Sequence, residues 1–245
     1  WHLVSSPLVN ASIPNFLEKS KTIKTNGEFY ALGVYNDANA SGSKYEYYTD
    51  ASASGEDFIP GKGYATKGTS PAASNLNFLF IGDINDSEEV LIPISDAGFG
   101  FNLVGNPYVA SLFANTQGDA TNNVLTTNEF VLEEMTLWFF NGSTGKFQTT
   151  NLGTTATGSE LLDIAPVQGF FVKAKAGGNT TENFKITKAM QTHNDDITSL
   201  KSNNNRFEID LSVNSNEKSS KTIKSFYALF PYFPFASFCV YSPIL

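Results

Sequence analysis

Four short blocks recur in the same order about one hundred residues apart, and this duplication restricts the possible folds more than any other property of the chain. Trp1–Val9 (WHLVSSPLV) aligns with Phe101–Val109 (FNLVGNPYV), sharing Leu, Val, Pro and Val in place behind a leading aromatic. Val34–Asn36 followed by Gly42–Tyr45 resembles Phe139–Asn141 followed by Gly145–Phe147. Ile59–Lys67 (IPGKGYATK) matches Ala165–Lys173 (APVQGFFVK), and Phe78–Phe80 corresponds to Phe184–Ile186. The offset drifts from 100 to 106, as small loop insertions between shared elements would cause. Two diverged copies of one unit are the reading these blocks require.

Each block reads as β. Residues 29–36 and 135–141 are apolar, aromatic runs, each followed by an Asn/Gly/Ser turn and a shorter run carrying Tyr45 or Phe147. Aromatic residues suit a half-buried pleated surface, and Gly with Asn supplies the positive φ of a hairpin turn. Pro7 and Pro107 end the first strand of each copy, because proline cannot donate to a ladder. Gly63 and Gly169 begin a strand, which predicts close backbone packing or a bulge. Ser12 ahead of Ile13-Pro14 predicts an N-cap and one short helical turn, with Val109–Ala114 as its counterpart. Residues 127–134 fit either a loop or a helical turn. Asp83–Glu89 separates two apolar runs, 76–82 and 90–94, and reads as an acidic hairpin turn.

Composition agrees. The chain holds 24 Asn, 24 Ser and 22 Thr, and only 16% of its 245 residues are charged, against roughly 25% in ordinary domains. Short polar side chains offer the backbone local hydrogen bonds that compete with a helical ladder, so bundles and coiled coils are excluded. With 21 Phe, 10 Tyr and 2 Trp the chain can bury a core. A net charge of −8 without a Lys/Arg run excludes nucleic acid as a partner. The expected fold is all-β, antiparallel and β-sandwich-like, with two copies at 1–98 and 99–190 and short helical turns. Residues 191–225 read as a linker and the start of a further β unit, marked by the alternation in Phe207–Val213. Residues 226–245 carry eight aromatics, no charge and three prolines. They fit a truncated or mistranslated end, or a ragged core strand, better than a membrane span. The chain opens at Trp1 within a strand and reads as part of a larger polypeptide. Cys239 is the single cysteine, so no intrachain disulfide is expected.

Trp1–Pro7, Gly61–Tyr64, Phe101–Tyr108 and Ile164–Val172 together resemble the C-terminal β-repeat region of exported surface proteins of Bacteroidetes-type bacteria, just upstream of a type IX secretion sorting domain. Met190–Asn194 followed by Phe207–Leu211 is similar to the joining segment of that family. The resemblance covers about residues 1–215 and implies an extracellular or outer-surface address. The sequence after about 225 departs from the family pattern, and the family places no catalytic residues at these blocks.

The residues themselves support no reaction. No G-x-S-x-G, HExxH or phosphate-loop motif is present. His2 reads as a surface or core histidine. His193, beside Asp195 and Asp196, lacks the repeated ligand spacing of zinc. Glu88-Glu89, Glu133-Glu134 and Asp195-Asp196 are adjacent pairs, which point to opposite faces of a strand and do not confront one another across a cleft. No cofactor is expected, with Ca²⁺ the one candidate at Asp83, Asn85, Asp86 and Glu88, whose oxygens suit a hard cation without matching an EF-hand. The expected function is a non-catalytic secreted or surface module for spacing, adhesion or presentation. The alternative is carbohydrate binding, an extracellular glycan stacking on Tyr45, Tyr47, Tyr48 and Trp138. A surface protein is the other candidate partner. Against the glycan stands the simpler reading that these rings fill the core, although Trp138 and Phe140 share one face and Phe139 the other, so that one ring is expected outside.

Overall fold

The computed structural model describes residues 1–40, 42–69, 77–142, 144–153, 163–177 and 183–192, and beyond them the backbone of strands at 207–209, 211–213, 226–228 and 235–240. The first half runs β1 (His2–Val4), β2 (Leu8–Val9), α1 (Ile13–Lys19), β3 (Thr25–Asn26), β4 (Phe29–Tyr30), β5 (Leu32–Tyr35), β6 (Tyr45–Tyr47), α2 (Asp50–Ala53), β7 (Tyr64–Thr66) and β8 (Asn77–Ile84). The second follows as β9 (Glu89–Pro93), β10 (Phe101–Gly105), β11 (Ser111–Phe113), α3 (Val124–Thr127), β12 (Thr136–Asn141), β13 (Lys146–Asn151), β14 (Asp163–Ile164), β15 (Gly169–Lys173), β16 (Asn183–Thr187) and β17 (Gln191–Thr192). β18 (Phe207–Ile209), β19 (Leu211–Val213), β20 (Phe226–Ala228) and β21 (Phe235–Val240) complete an all-β chain. The segment 226–245 thus contributes a strand, since the backbone of β21 lies parallel to β8 in register. Helices stay short. α1 starts where the Ser12 hydroxyl accepts from the Asn15 N–H, and its apolar Ile13, Phe16 and Leu17 face the core.

Two four-stranded antiparallel sheets have the same strand order, β1-β7-β5-β6 and β10-β15-β12-β13. Residues that align in sequence also pair alike. Leu3 opposes Ala65 as Leu103 opposes Phe171, and Val4 opposes Tyr64 as Val104 opposes Phe170. Gly33 meets Ala65 as Trp138 meets Phe171. In the hairpins, Tyr35 meets Tyr45 as Phe140 meets Phe147, with Gly42 and Gly145 at positive φ in the turns.

Alternation along these strands builds three apolar layers. Val4, Leu32 and Tyr64 point into a first core with Phe16, Phe58 and Phe80. Phe16 meets Phe58 edge-on at 5.0 Å and Phe80 at 4.6 Å, so its truncation to Ala would cost about 3–5 kcal/mol. Val104, Leu137, Phe139 and Phe170 point into a second core with Phe184 and Ile186. The opposite faces meet each other. Leu3 and Ala65 of one sheet lie against Leu103 and Phe171 of the other.

The halves are docked reciprocally. The Ser5 N–H donates to the Val167 carbonyl at 2.8 Å, and at the aligned positions the Gly105 N–H donates to the Gly61 carbonyl at 2.8 Å. Val4 bridges to Gln168 as Lys62 bridges to Val104. A Cβ at Gly63 would lie 2.6 Å from Leu103 Cγ and 2.7 Å from the Val104 oxygen, and one at Gly169 would lie 2.9 Å from the Leu3 and Val4 backbone. Those two glycines were legible as close approaches, and here each approaches the other half. Ala165 and Val167 of the second half complete the first core. Val167 has φ 66°, a left-handed conformation costly for a β-branched residue, where the aligned Gly61 has φ 78°.

The structure corrects several expectations. Asp83–Glu89 is not a hairpin turn: β8 pairs with β2 and β21, whereas β9 pairs with β16, so the turn carries the chain from one half to the other. Turn composition is the same whether flanking strands pair or diverge. Residues 89–94, which fell within 1–98 by sequence, therefore supply Ile92 and Ile94 to the second core. Val109–Ala114 holds no helical turn, because β11 pairs on both sides, with β14 and β17. The run 29–36 is divided at Ala31 into β4 and β5. In the 138–140 run Phe139 enters the second core, while Trp138 and Phe140 on the opposite face stay half-buried against the layer between the sheets.

Candidate functional site

An aromatic cleft of about 570 Å³ opens between the two sheets. Tyr35 and Tyr45 reach it from the first hairpin, and Phe101, Trp138, Phe147 and Phe171 from the second sheet. The rings meet mostly edge to face: Tyr35 on Phe171 at 4.8 Å and 82°, Phe101 on Trp138 at 5.5 Å and 79°, Tyr35 on Tyr45 at 5.3 Å and 67°. This is the arrangement that aromatic quadrupoles favour. Phe171 forms the buried floor, and Phe147 is 52% exposed at the rim. The polar part of the wall is the turn Gly42–Lys44, where Ser43 Oγ bonds both the N–H and the carbonyl of Tyr45.

A buried carboxylate fixes one end of the cleft. Asp37 Oδ2 accepts from the Phe99 N–H at 2.7 Å and the Phe101 N–H at 3.1 Å, and Oδ1 accepts from the Tyr35 hydroxyl at 2.9 Å. Lys44 Nζ donates to the carbonyls of Asp37 at 2.6 Å and Asn39 at 2.9 Å and lies 3.8 Å from the Asp37 carboxylate. Burial by itself would raise the Asp37 carboxyl, but these hydrogen bonds and the Lys44 charge outweigh it and hold the group below its ordinary value. Tyr35 moves the other way, raised by burial and then by its bond to Asp37. Tyr45 is pushed up to about 12 by burial first and Tyr47 second, so its hydroxyl stays protonated at neutral pH. A second cavity of about 330 Å³ adjoins the cleft, sharing Tyr35 and Phe101 and containing Lys62 and Asn102. Burial lowers Lys62, whose amine lies 5.8 Å from the Tyr64 ring.

Of the four expected glycan contacts, the structure brings Tyr45 and Trp138 together. Tyr47 shares their strand face but covers Gly33, where a Cβ would lie 2.9 Å from its ring, and it packs on Trp1 at 5.7 Å. Tyr48 does not reach the cleft; it points the other way and packs on the first core. Sequence reasoning missed Tyr35, Phe101, Phe147 and Phe171. The signal was present: Tyr45 and Phe147 are aligned positions, and so are Gly33 and Trp138, each pair on the face that the two sheets share.

The remaining candidates are held by neighbours. Asp83 accepts from Asn10 at 2.9 Å, the Asn85 amide donates to the Pro107 carbonyl at 3.0 Å, and Asp86 and Glu88 face Lys188. Among the described residues no group of three or more His, Cys, Asp or Glu side chains is placed to hold an ion. Glu133 and Glu134 both pair with Lys173, and Glu89 with Lys185. His2 is pushed down to about 4 by burial and, secondarily, by the amino terminus. Asp163 Oδ1 has no hydrogen-bond partner among the described residues, and burial raises this carboxyl to about 6. His193, Asp195 and Asp196 lie outside the described residues. Among the described residues no helix is long and apolar enough to cross a membrane. Compared with family models, characterised proteins and solved structures, the chain matches none.

Proposed function

We propose that the chain is a non-catalytic β module of a larger exported bacterial protein, secreted or held at the cell surface, which acts as a stiff spacing, adhesion or presentation unit. The reciprocal docking of the two halves carries this reading. Hydrogen bonds between Ser5 and Val167 and between Gly105 and Gly61, with Val167 inserted in the first core, tie one sheet to the other over an apolar layer. Two sheets joined in this way transmit orientation along the chain, whereas separate beads on a linker would swivel. Matching strand order and register support reading the halves as diverged copies, and the resemblance to sorting-domain proteins supports the address. The test is a tagged chain with its native flanking sequence, produced in a bacterium that has type IX secretion. Protease added to intact cells should digest it, and complete protection would overturn the address. Hydrolysis of a polysaccharide or peptide by the purified chain, lost on substituting one carboxylate, would overturn the non-catalytic role.

A further inference from the structure

Beyond that role, we propose that the cleft between the sheets binds an uncharged oligosaccharide, with pyranose rings seated against Trp138 and Tyr45 above the Phe171 floor. At about 570 Å³ it falls inside the roughly 300–1,000 Å³ range of ligand pockets. Its walls come from both halves, so only the assembled pair of sheets creates it. Tyr35 meets Tyr45 and Phe101 meets Trp138 edge to face, so neither pair forms a parallel stack, while Tyr45 stacks on Tyr47 at 6.3 Å and 24°. Flat apolar faces are what the C–H surfaces of a pyranose ring require.

The occupant's charge follows from the wall. Among the described residues, the single charged side chain lining the cleft is Lys44, and two backbone carbonyls and the Asp37 carboxylate already hold its ammonium. Among the described residues an anion finds no uncommitted cation there, and the nearby Asp37 carboxylate is already committed to Tyr35, Phe99, Phe101 and Lys44. A wholly apolar occupant fits poorly too, because the Tyr45 hydroxyl, Ser43 and the exposed Gly42 turn put hydrogen-bonding groups around the rings. A neutral sugar combines apolar faces with hydroxyl edges and satisfies both parts of the wall.

Trp1 lies outside the cleft, so a Trp1→Phe background leaves Trp138 as the one indole reporter in the chain. Cellohexaose, xylohexaose, mannohexaose, laminarihexaose and chitohexaose would be titrated by fluorescence and calorimetry. At least one should give a saturable change in Trp138 emission. Trp138→Ala and Tyr45→Ala should each weaken that binding about tenfold or more, while Phe130→Ala, at an exposed ring outside the cleft, should leave it unchanged. Trp138→Phe, which keeps a ring, provides a folded comparator if the alanine variant is unstable, and should bind measurably more weakly than Trp138. Binding that survives both Trp138→Phe and Tyr45→Ala undiminished would overturn the proposal. So would the absence of binding to all five sugars, binding of the amphipathic anionic dye 1-anilinonaphthalene-8-sulfonate alone, or self-association through the cleft with no sugar bound.

Discussion

Asp37 is the side chain whose removal tests the architecture most directly. It belongs to the first half, yet its carboxylate holds the N–H groups of Phe99 and Phe101 at the entrance to the second. Hydrogen bonds to an ionised acceptor contribute about 1.5–3 kcal/mol each, and the Phe99 N–H, in a surface turn, can recover water when released. Asp37→Ala removes all three bonds and leaves Lys44 without its carboxylate, so about 3–5 kcal/mol should be lost, the range for deleting one partner of a buried ionic cluster. Asp37→Asn keeps one carbonyl acceptor but turns an amide toward two donors, and should cost about 2 kcal/mol. Urea unfolding followed by Trp fluorescence would measure both, with an unchanged m-value confirming that the same surface is exposed. The pH dependence gives an independent check. The folded carboxyl lies below its unfolded value of about 3.9, so its contribution is complete above that pH and is lost as pH falls through the folded value. The gap between the wild type and Asp37→Asn should therefore close on acidification below about pH 4. A loss under about 1 kcal/mol for Asp37→Ala, or a gap independent of pH, would refute the clamp.

Three further outcomes follow from the packing. Gly63→Ala forces a methyl into the Leu103–Val104 backbone and should destabilise by about 2–3 kcal/mol, while Gly153→Ala, with open space around its Cβ, should be neutral or gain up to about 1 kcal/mol in the same urea titration. Val167→Gly loses about 1.5–3 kcal/mol of buried side chain and recovers about 1–2 kcal/mol of left-handed strain; a net loss above about 2 kcal/mol would show that the strain is not there. Asp163 has a folded value near 6, above its unfolded value, so it favours folding in acid and opposes it as pH rises through 6. After allowance for partial solvent screening, Asp163→Asn should stabilise by about 1–2 kcal/mol at pH 7.5, with the gain vanishing below about pH 4 in thermal unfolding.

Local chemistry made some of this fold readable in advance. Pro7 and Pro107 mark strand ends, Gly42 and Gly145 mark the hairpin turns, and Gly63 and Gly169 mark close approach, because each obeys a constraint within a few residues. Partner choice was not readable, because it is a long-range property. Asp83–Glu89 has hairpin composition, yet Val90 and Ile92 find their apolar complement in β16 rather than in β8. Period two correctly placed Trp138 and Phe140 on one face, but cannot say that this face meets another sheet instead of water. The cleft was half legible for the same reason. Tyr45 and Trp138 stood out as members of aromatic runs, whereas nothing local distinguishes Phe171 from its core neighbour Phe170, and Tyr48 was included although β6 ends one residue before it.

The reciprocal docking also bears on the order in which the chain can fold. The first core lacks Ala165 and Val167 until most of the described chain has been synthesised. β9, made early, has its partner β16 at 183–187, more than ninety residues later. The first core cannot be completed without the second half, and the second core waits for β16, so nucleation depends on contacts of large sequence separation, which makes folding slow. Such a chain spends a long interval with Phe-rich strands uncovered, and its yield will depend on what shields them during that interval more than on the stability finally reached.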